Sequence, residues 1–141
     1  MSILVTFKDG IEEKLKAAGF ELSKLKKDLE LYFSTKALKK RIKADYIGKD
    51  APFTRPSTIL EAEVHHIHIF VKGITCPQEW AQKRIPTSDS YIVYTFGAIE
   101  ANAYHIIDFI DNGAHEKCEL PDNFSRLTTY KVEAEKFRMK F

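Results

Sequence analysis

Residues 60–71 alternate between two kinds of side chain, as the residues of a β-strand do when successive side chains point to opposite faces. One face is aliphatic, and the other carries two histidines. The first face consists of Ile67, Ile69 and Val71, and the second of Val64, His66, His68 and Phe70. We expect this long strand to sit centrally in its sheet.

Further strands are predicted by three shorter runs rich in β-branched and aromatic residues, at 3–7, 91–96 and 104–110. The last two are expected to form an antiparallel meander with the long strand at 60–71. Helical spacing predicts two helices after the first strand. The first ends at Gly19, and the second runs to about Ile42 or Tyr46. Residues 47–58 contain a glycine and two prolines and are predicted to form a structured loop.

The C-terminal half of the chain contains one long connection and one more helix. Residues 73–90 show little periodicity, with room for one helical turn at 79–83. After Pro121, either Asp122 or Asn123 is a suitable cap for a last helix that ends before residues 137–141. The element order predicts an α+β fold, in which an antiparallel sheet is accompanied by an N-terminal helical hairpin and a C-terminal helix.

Composition limits the class of protein. A chain of 141 residues, 44% hydrophobic and 30% charged, is suited to one globular domain spanning residues 1–141. The longest apolar runs are strand-sized, so we expect no membrane span, and the N-terminus lacks an export signal, so we expect a cytoplasmic protein. Cys76 and Cys118 lie outside any CxxC pattern, and no phosphate-binding loop, GxSxG or HExxH motif is present.

Histidines are concentrated at residues 65, 66 and 68. On a strand, His66 and His68 share a face roughly 6 to 7 Å apart, whereas His65 points the other way. Imidazoles so placed could transfer protons at neutral pH, or they could be a structural pair. A zinc site is a weaker alternative, because its third ligand would have to be His105, His115 or a carboxylate.

Cations are concentrated in residues 36–43. On a continuous helix, four of these lysines would form one stripe, which could bind RNA phosphates. The alternative is that the stripe is a helix face exposed to solvent. The predicted RNA-binding cations are Lys36, Lys39, Lys40, Lys43, Lys83 and Arg84. In the last five residues, Arg138 and Lys140 alternate with apolar residues, and an extended tail would place both cations on one side, where Arg138 could bind a phosphate.

Several stretches, taken in order, resemble the YafO family of bacterial type II toxins within the RelE-like group. They run from residue 47 to the C-terminus and comprise Ile47-Gly48-Lys49-Asp50-Ala51, Phe53-Thr54-Arg55-Pro56, His66-Ile67-His68, Thr87-Ser88-Asp89, Val93-Tyr94, Gly97-Ala98, His115 and Glu135-Lys136-Phe137-Arg138-Met139-Lys140-Phe141. The resemblance implies a compact, microbial-RNase-like α+β fold. It also implies a ribosome-dependent mRNA endonuclease that acts on mRNA in the ribosomal A site and is inhibited by a cognate antitoxin.

Such enzymes generally cleave RNA without a metal or other cofactor, using the 2′-hydroxyl as the nucleophile. The roles to be filled are a base, an acid and cations for the phosphorane. We expect His66 and His68 to be the acid and base, Arg138 with Lys140 to stabilise charge, and Tyr94 or Asp89 to orient the nucleotide or a histidine. The alternative function is a noncatalytic RNA- or protein-binding module on the same fold.

Overall fold

The computed structural model describes residues 2–36, 38 and 42–141. Within these residues the chain forms five strands: β1 (Leu4–Phe7), β2 (Ile47–Pro52), β3 (His65–Ile69), β4 (Tyr91–Phe96) and β5 (Ala103–Ile110). The helices of the same residues are α1 (Ile11–Ala17), α2 (Leu22–Thr35), α3 (Ser57–Glu61), α4 (Pro77–Gln82), α5 (Ala114–Lys117) and α6 (Phe124–Lys140). The predicted α+β class is confirmed.

The strands form one sheet in the order β1-β5-β4-β3-β2. Strands β2 to β5 are an antiparallel meander, and β1 pairs in parallel with β5. The predicted meander is therefore confirmed. The histidine strand is interior, between β2 and β4, but the middle strand is β4. It is also shorter than predicted, because residues 57–61 form α3 and Glu63 adopts a left-handed turn (φ 59°) before the strand begins.

Two boundaries in the first half of the chain differ from prediction. Residues 47–58 are not a loop, because β2 occupies their first half and pairs with β3. Pro52 is tolerated there because it is the last residue of an edge strand. Helix α2 ends at Thr35 rather than at Ile42 or Tyr46, and the Thr35 hydroxyl accepts the N–H of Ile42 at 3.1 Å.

Helices cover both faces of the sheet. On one face, α1 and α2 pack over a core that includes Leu15, Leu29, Ile67, Ile69 and Ile92. The second core, on the other face, is formed with α3, α5 and α6 and includes Ile59, Val64, Tyr91, Val93 and Leu127. The strand alternation therefore determines which helical layer each side chain meets.

The C-terminal residues are helical and not extended, so the prediction of an extended tail is wrong. Helix α6 continues to Lys140 because Phe137 is buried and its ring stacks on that of His105, with centroids 4.9 Å apart. The Phe141 carbonyl then accepts the N–H of Ile99 at 2.9 Å. In a helix, positions 138 and 140 are rotated by about 200°, so Arg138 and Lys140 do not share a side.

Gly48 generates a prediction about the packing of β2. A Cβ at this position would lie 2.4 Å from the Pro86 carbonyl oxygen and 2.7 Å from the Trp80 ring. We expect Gly48→Ala to lower the free energy of unfolding by about 1–3 kcal/mol, because the segment around Pro86 must move. Urea unfolding of the two proteins measures this difference, and an unchanged midpoint would contradict it.

Candidate functional site

His66 and His68 lie side by side on the face of the sheet covered by α3, α5 and α6. They occupy alternate positions of β3, and their ring centroids are 5.5 Å apart. The ring of Tyr91, which pairs with His68 across β3 and β4, contacts both imidazoles at 4.6 and 4.8 Å. The structure therefore brings the two predicted histidines together, with an aromatic wall beside them.

The His66 ring is packed between aromatic neighbours. It stacks on Phe53 at 4.4 Å between centroids, and its Nδ1 is buried with no hydrogen-bond partner in the described part of the chain. Burial, assisted by the charge of protonated His68, lowers the pKa of His66 to about 4. His66 is therefore neutral at pH 7, and its buried Nδ1 leaves Nε2 as the remaining nitrogen of the ring.

His68 is held by the backbone of Ser88. Its Nδ1 lies 2.9 Å from the Ser88 amide nitrogen and 2.7 Å from the Ser88 carbonyl oxygen. A neutral Nδ1 can accept the N–H, and a protonated Nδ1 can donate to the carbonyl. Burial lowers the pKa of His68, while the contact with the Ser88 carbonyl opposes this change. The contact suits both protonation states.

Two exposed lysines contribute positive charge at the histidines. Lys49 on β2 and Lys83 after α4 both lower the pKa of His68, because like charge disfavours imidazolium. Lys83 Nζ also donates to Thr87 Oγ1 at 2.8 Å. An anion such as a phosphate would therefore be attracted to this part of the surface.

Asp89 holds helix α5 in place. Its Oδ1 accepts the N–H of His115 at 2.7 Å, and its carbonyl accepts the N–H of Ala114 at 3.0 Å. The expected role of Asp89 was to orient a nucleotide or a histidine side chain. In the structure its carboxylate binds a backbone amide, and its charge also favours the protonated form of His68.

Tyr94 lies on the opposite face of the sheet from His66 and His68. It is fully buried, its hydroxyl donates to Asp50 at 2.8 Å, and Lys36 donates to the same hydroxyl. Lys36 Nζ is also 3.1 Å from Asp50 Oδ2, and Tyr32 donates to that oxygen at 2.7 Å. Burial and the Asp50 charge raise the pKa of Tyr94 well above its ordinary value.

The two C-terminal cations are also separated from the histidine pair. Arg138 donates to the Phe96 carbonyl at 2.7 Å, and its guanidinium lies over the Phe96 ring at 5.3 Å. The nearer histidine, His66, lies opposite Val93, which is three residues along β4 from Phe96, or about 10 Å. Lys140 is exposed on another side of α6. The predicted catalytic residues therefore occupy four places, and only His66, His68 and Asp89 lie together.

The two described members of the predicted lysine stripe, Lys36 and Lys43, both lie outside α2. Lys36 follows the last residue of α2 and turns to Asp50, and Lys43 is exposed in the segment before β2. Lys39 and Lys40 lie outside the described residues. Of the other predicted RNA-binding cations, Lys83 is close enough for its charge to lower the pKa of His68. Arg84 is the next residue in the sequence and is exposed.

Sequence reasoning missed Lys49, Ser88 and Tyr91 as neighbours of the histidines. Lys49 was overlooked because residues 47–52 were predicted to be a loop, although pairing with β3 brings them close. The alternation of residues 91–96 places Tyr91 and Tyr94 on opposite faces. Only the pairing of β3 with β4 shows that Tyr91 is the one beside His68.

Two other properties of the described chain bear on function. No group of three or more His, Cys, Asp or Glu side chains in it is arranged to hold a metal ion. None of its helices has the length and apolar character needed to cross a membrane.

The family model described as Toxin YafO, type II toxin-antitoxin system, matches residues 30–139, which include β2 to β5 and almost all of α6. The chain therefore belongs to the YafO family of toxins of type II toxin-antitoxin systems. Searches of the curated proteins and of the solved structures returned no match.

The lowered pKa of His66 predicts a pH dependence of stability. The unfolded histidine takes up a proton near its ordinary pKa of 6.5, and the folded one does so only near 4. Stability is therefore lost as the pH falls from 6.5 towards 4, by about 2 kcal/mol at pH 5 for this residue. Between pH 7 and pH 5, the free energy of unfolding of His66→Gln should therefore fall by about 2 kcal/mol less than that of wild type. Urea unfolding at the two pH values measures this difference. His115→Gln, which changes an exposed histidine, is the control, and equal slopes for all three proteins would contradict the assignment.

The buried position of Tyr94 predicts a structural effect of its hydroxyl. Tyr94→Phe removes the hydrogen bond to the buried Asp50 carboxylate, so we expect the free energy of unfolding to fall by about 1.5–3 kcal/mol. Chemical denaturation at pH 7 measures this change. A variant as stable as wild type would show that water or another group replaces the hydroxyl.

Proposed function

We propose that this toxin is an endoribonuclease that cleaves mRNA on the translating ribosome and is centred on His66 and His68. The observation that supports the proposal best is the pairing of two imidazoles, 5.5 Å apart, beside Lys49 and Lys83. Proton-transfer groups and positive charge are the requirements for breaking a phosphodiester bond by its own 2′-hydroxyl.

The proposed reaction needs one base and one acid. The base removes the proton of the 2′-hydroxyl, and the 2′-oxygen forms a bond to phosphorus. The bond from phosphorus to the 5′-oxygen then breaks, and the acid protonates that oxygen. The products are a 2′,3′-cyclic phosphate and a 5′-hydroxyl, and exchange of one proton with solvent returns both imidazoles to their starting states. No metal is needed for these steps.

The surroundings of the two rings favour one assignment of the roles. His66 is neutral at pH 7 because its pKa is about 4, so its Nε2 is free to act as the base. His68 can be stabilised as imidazolium by the Ser88 carbonyl, so it is the better acid. Lys49 and Lys83 would stabilise the charge of the phosphorane.

Partners and compartment follow from the family and the proposed reaction. A type II toxin has a cognate antitoxin partner. We infer that mRNA held in the ribosomal A site is the substrate, that the protein acts in the cytoplasm, and that cleavage inhibits translation. A noncatalytic module that binds RNA phosphates through exposed cations such as Lys83 and Arg84 is the competing function.

The test is to induce the protein in bacteria and to map the 5′ ends of cellular mRNA. We expect growth arrest and new 5′-hydroxyl ends within translated messages. His66→Gln and His68→Gln should each lower cleavage by about 100-fold or more, since each removes a proton-transfer group. His65→Gln is the matched control, because it changes the neighbouring histidine on the opposite face.

The other outcomes discriminate among the alternatives. Cleavage that persists in both histidine variants but is lost in Arg138→Ala would move the centre to the Phe96 end of β4. Arrest without new 5′ ends would favour the binding module. With toxin that has been treated with EDTA and freed of it before addition to Mg²⁺-stabilised ribosome complexes, unchanged cleavage supports the metal-independent reaction. Loss of cleavage that added zinc restores would contradict it.

A further inference from the structure

Two motifs that carried the family resemblance supply neither a proton-transfer group nor a cation to the proposed centre. They are Phe53-Thr54-Arg55-Pro56, which follows β2, and His115 on α5. The structure brings them together around a surface hollow of about 280 Å³. Its lining residues are Phe53, Thr54, Arg55, His115, Cys118, Glu119 and Leu120. We name this feature the Arg55 hollow.

The Arg55 hollow adjoins the paired histidines. The Phe53 ring that lines it is the ring stacked on His66, at 4.4 Å between centroids. Its other wall is α5 and the residues after it, which Asp89 anchors through the His115 amide at 2.7 Å. The hollow and His66 therefore lie on either side of the same Phe53 ring.

The lining has the chemistry of a nucleotide site. Phe53 and Leu120 are apolar, and burial raises the pKa of the Cys118 thiol to about 11, so the thiol stays neutral. Arg55 offers a planar guanidinium for stacking on a base or for binding a phosphate. Glu119, exposed and 3.5 Å from His115 Nε2, offers carboxylate oxygens that accept N–H groups.

We propose that the Arg55 hollow is the subsite for one RNA nucleotide adjoining the scissile phosphate, and this rests on the proposed function. Arg55 binds the nucleotide's phosphate or stacks on its base, and Glu119 accepts a hydrogen bond from an exocyclic amino group. Adenine, cytosine and guanine carry such a group. Uracil has no exocyclic amino group, and its single ring N–H lies between two carbonyl oxygens that a carboxylate repels, so uracil is disfavoured.

The first experiment measures binding independently of cleavage. The four ribonucleoside 5′-monophosphates are titrated separately into the ¹⁵N-labelled protein at millimolar concentrations, and amide shifts are followed by NMR. We expect shifts at residues 53–55 and 115–120, weakest with UMP. Arg55→Ala should weaken binding by about tenfold or more, as expected for losing a hydrogen bond to a charged group. Lys117→Ala, which removes an exposed cation of α5 outside the hollow, should bind as wild type does.

The second experiment uses the cleavage map. Glu119→Gln should increase the share of sites with uracil next to the cut, since an amide can also donate to a carbonyl oxygen. Glu116→Gln is the matched control. An amide spectrum that retains the wild-type pattern outside the hollow shows that each variant is folded.

The outcomes separate the two proposals. If wild type cleaves mRNA but no nucleotide shifts the hollow's amides and Glu119→Gln leaves the base frequencies unchanged, the subsite is wrong and the nuclease stands. If the hollow binds nucleotides in an Arg55-dependent manner but no cleavage occurs, the nuclease is wrong and the binding site stands. Shifts of equal size in wild type and Arg55→Ala would also overturn the subsite.

Discussion

The burial of β3 between two helical layers determines both the fold and the chemistry of this toxin. Ile67 and Ile69 face the layer of α1 and α2, so His66 and His68 must face the other layer. Removal from water disfavours the charged imidazole, which lowers the pKa of both histidines. The same packing that stabilises the sheet therefore produces neutral imidazoles at pH 7. The neutral imidazole that the proposed reaction requires as its base is a consequence of where this strand lies.

The opposite face carries a buried carboxylate, which explains why Tyr94 is separate from the histidines. The Asp50 side chain is 2% exposed, and Lys36, Tyr32 and Tyr94 supply its ion pair and hydrogen bonds. Removing one partner of such a pair leaves an uncompensated charge and is strongly destabilising. This cluster joins the end of α2 to β2 and β4. Its tyrosine hydroxyl is engaged with Asp50 and contributes to stability.

Local patterns in the sequence predicted the meander and the shared face of His66 and His68, because period-two alternation is a property of a single strand. They did not predict β2, where Gly48 and Pro52 are poor strand residues and pairing with β3 outweighs propensity. The separation of Tyr94 from His66 and His68 depends on the register between β3 and β4. The position of Arg138 depends on α6 continuing past Phe137, which the burial of that ring determines. Both are tertiary effects that alternation cannot show.

The low pKa values also bear on how the proposed centre would obtain its acid. Without substrate, burial and the charges of Lys49 and Lys83 keep His68 neutral. A bound phosphate would offset the lysine charges and place a negative group near the ring, which favours imidazolium. The Ser88 carbonyl at 2.7 Å is already positioned to accept the added N–H. His66 has no such partner for its buried Nδ1 in the described residues, so the proton is better held by His68. RNA binding would therefore create the acid while leaving the base neutral.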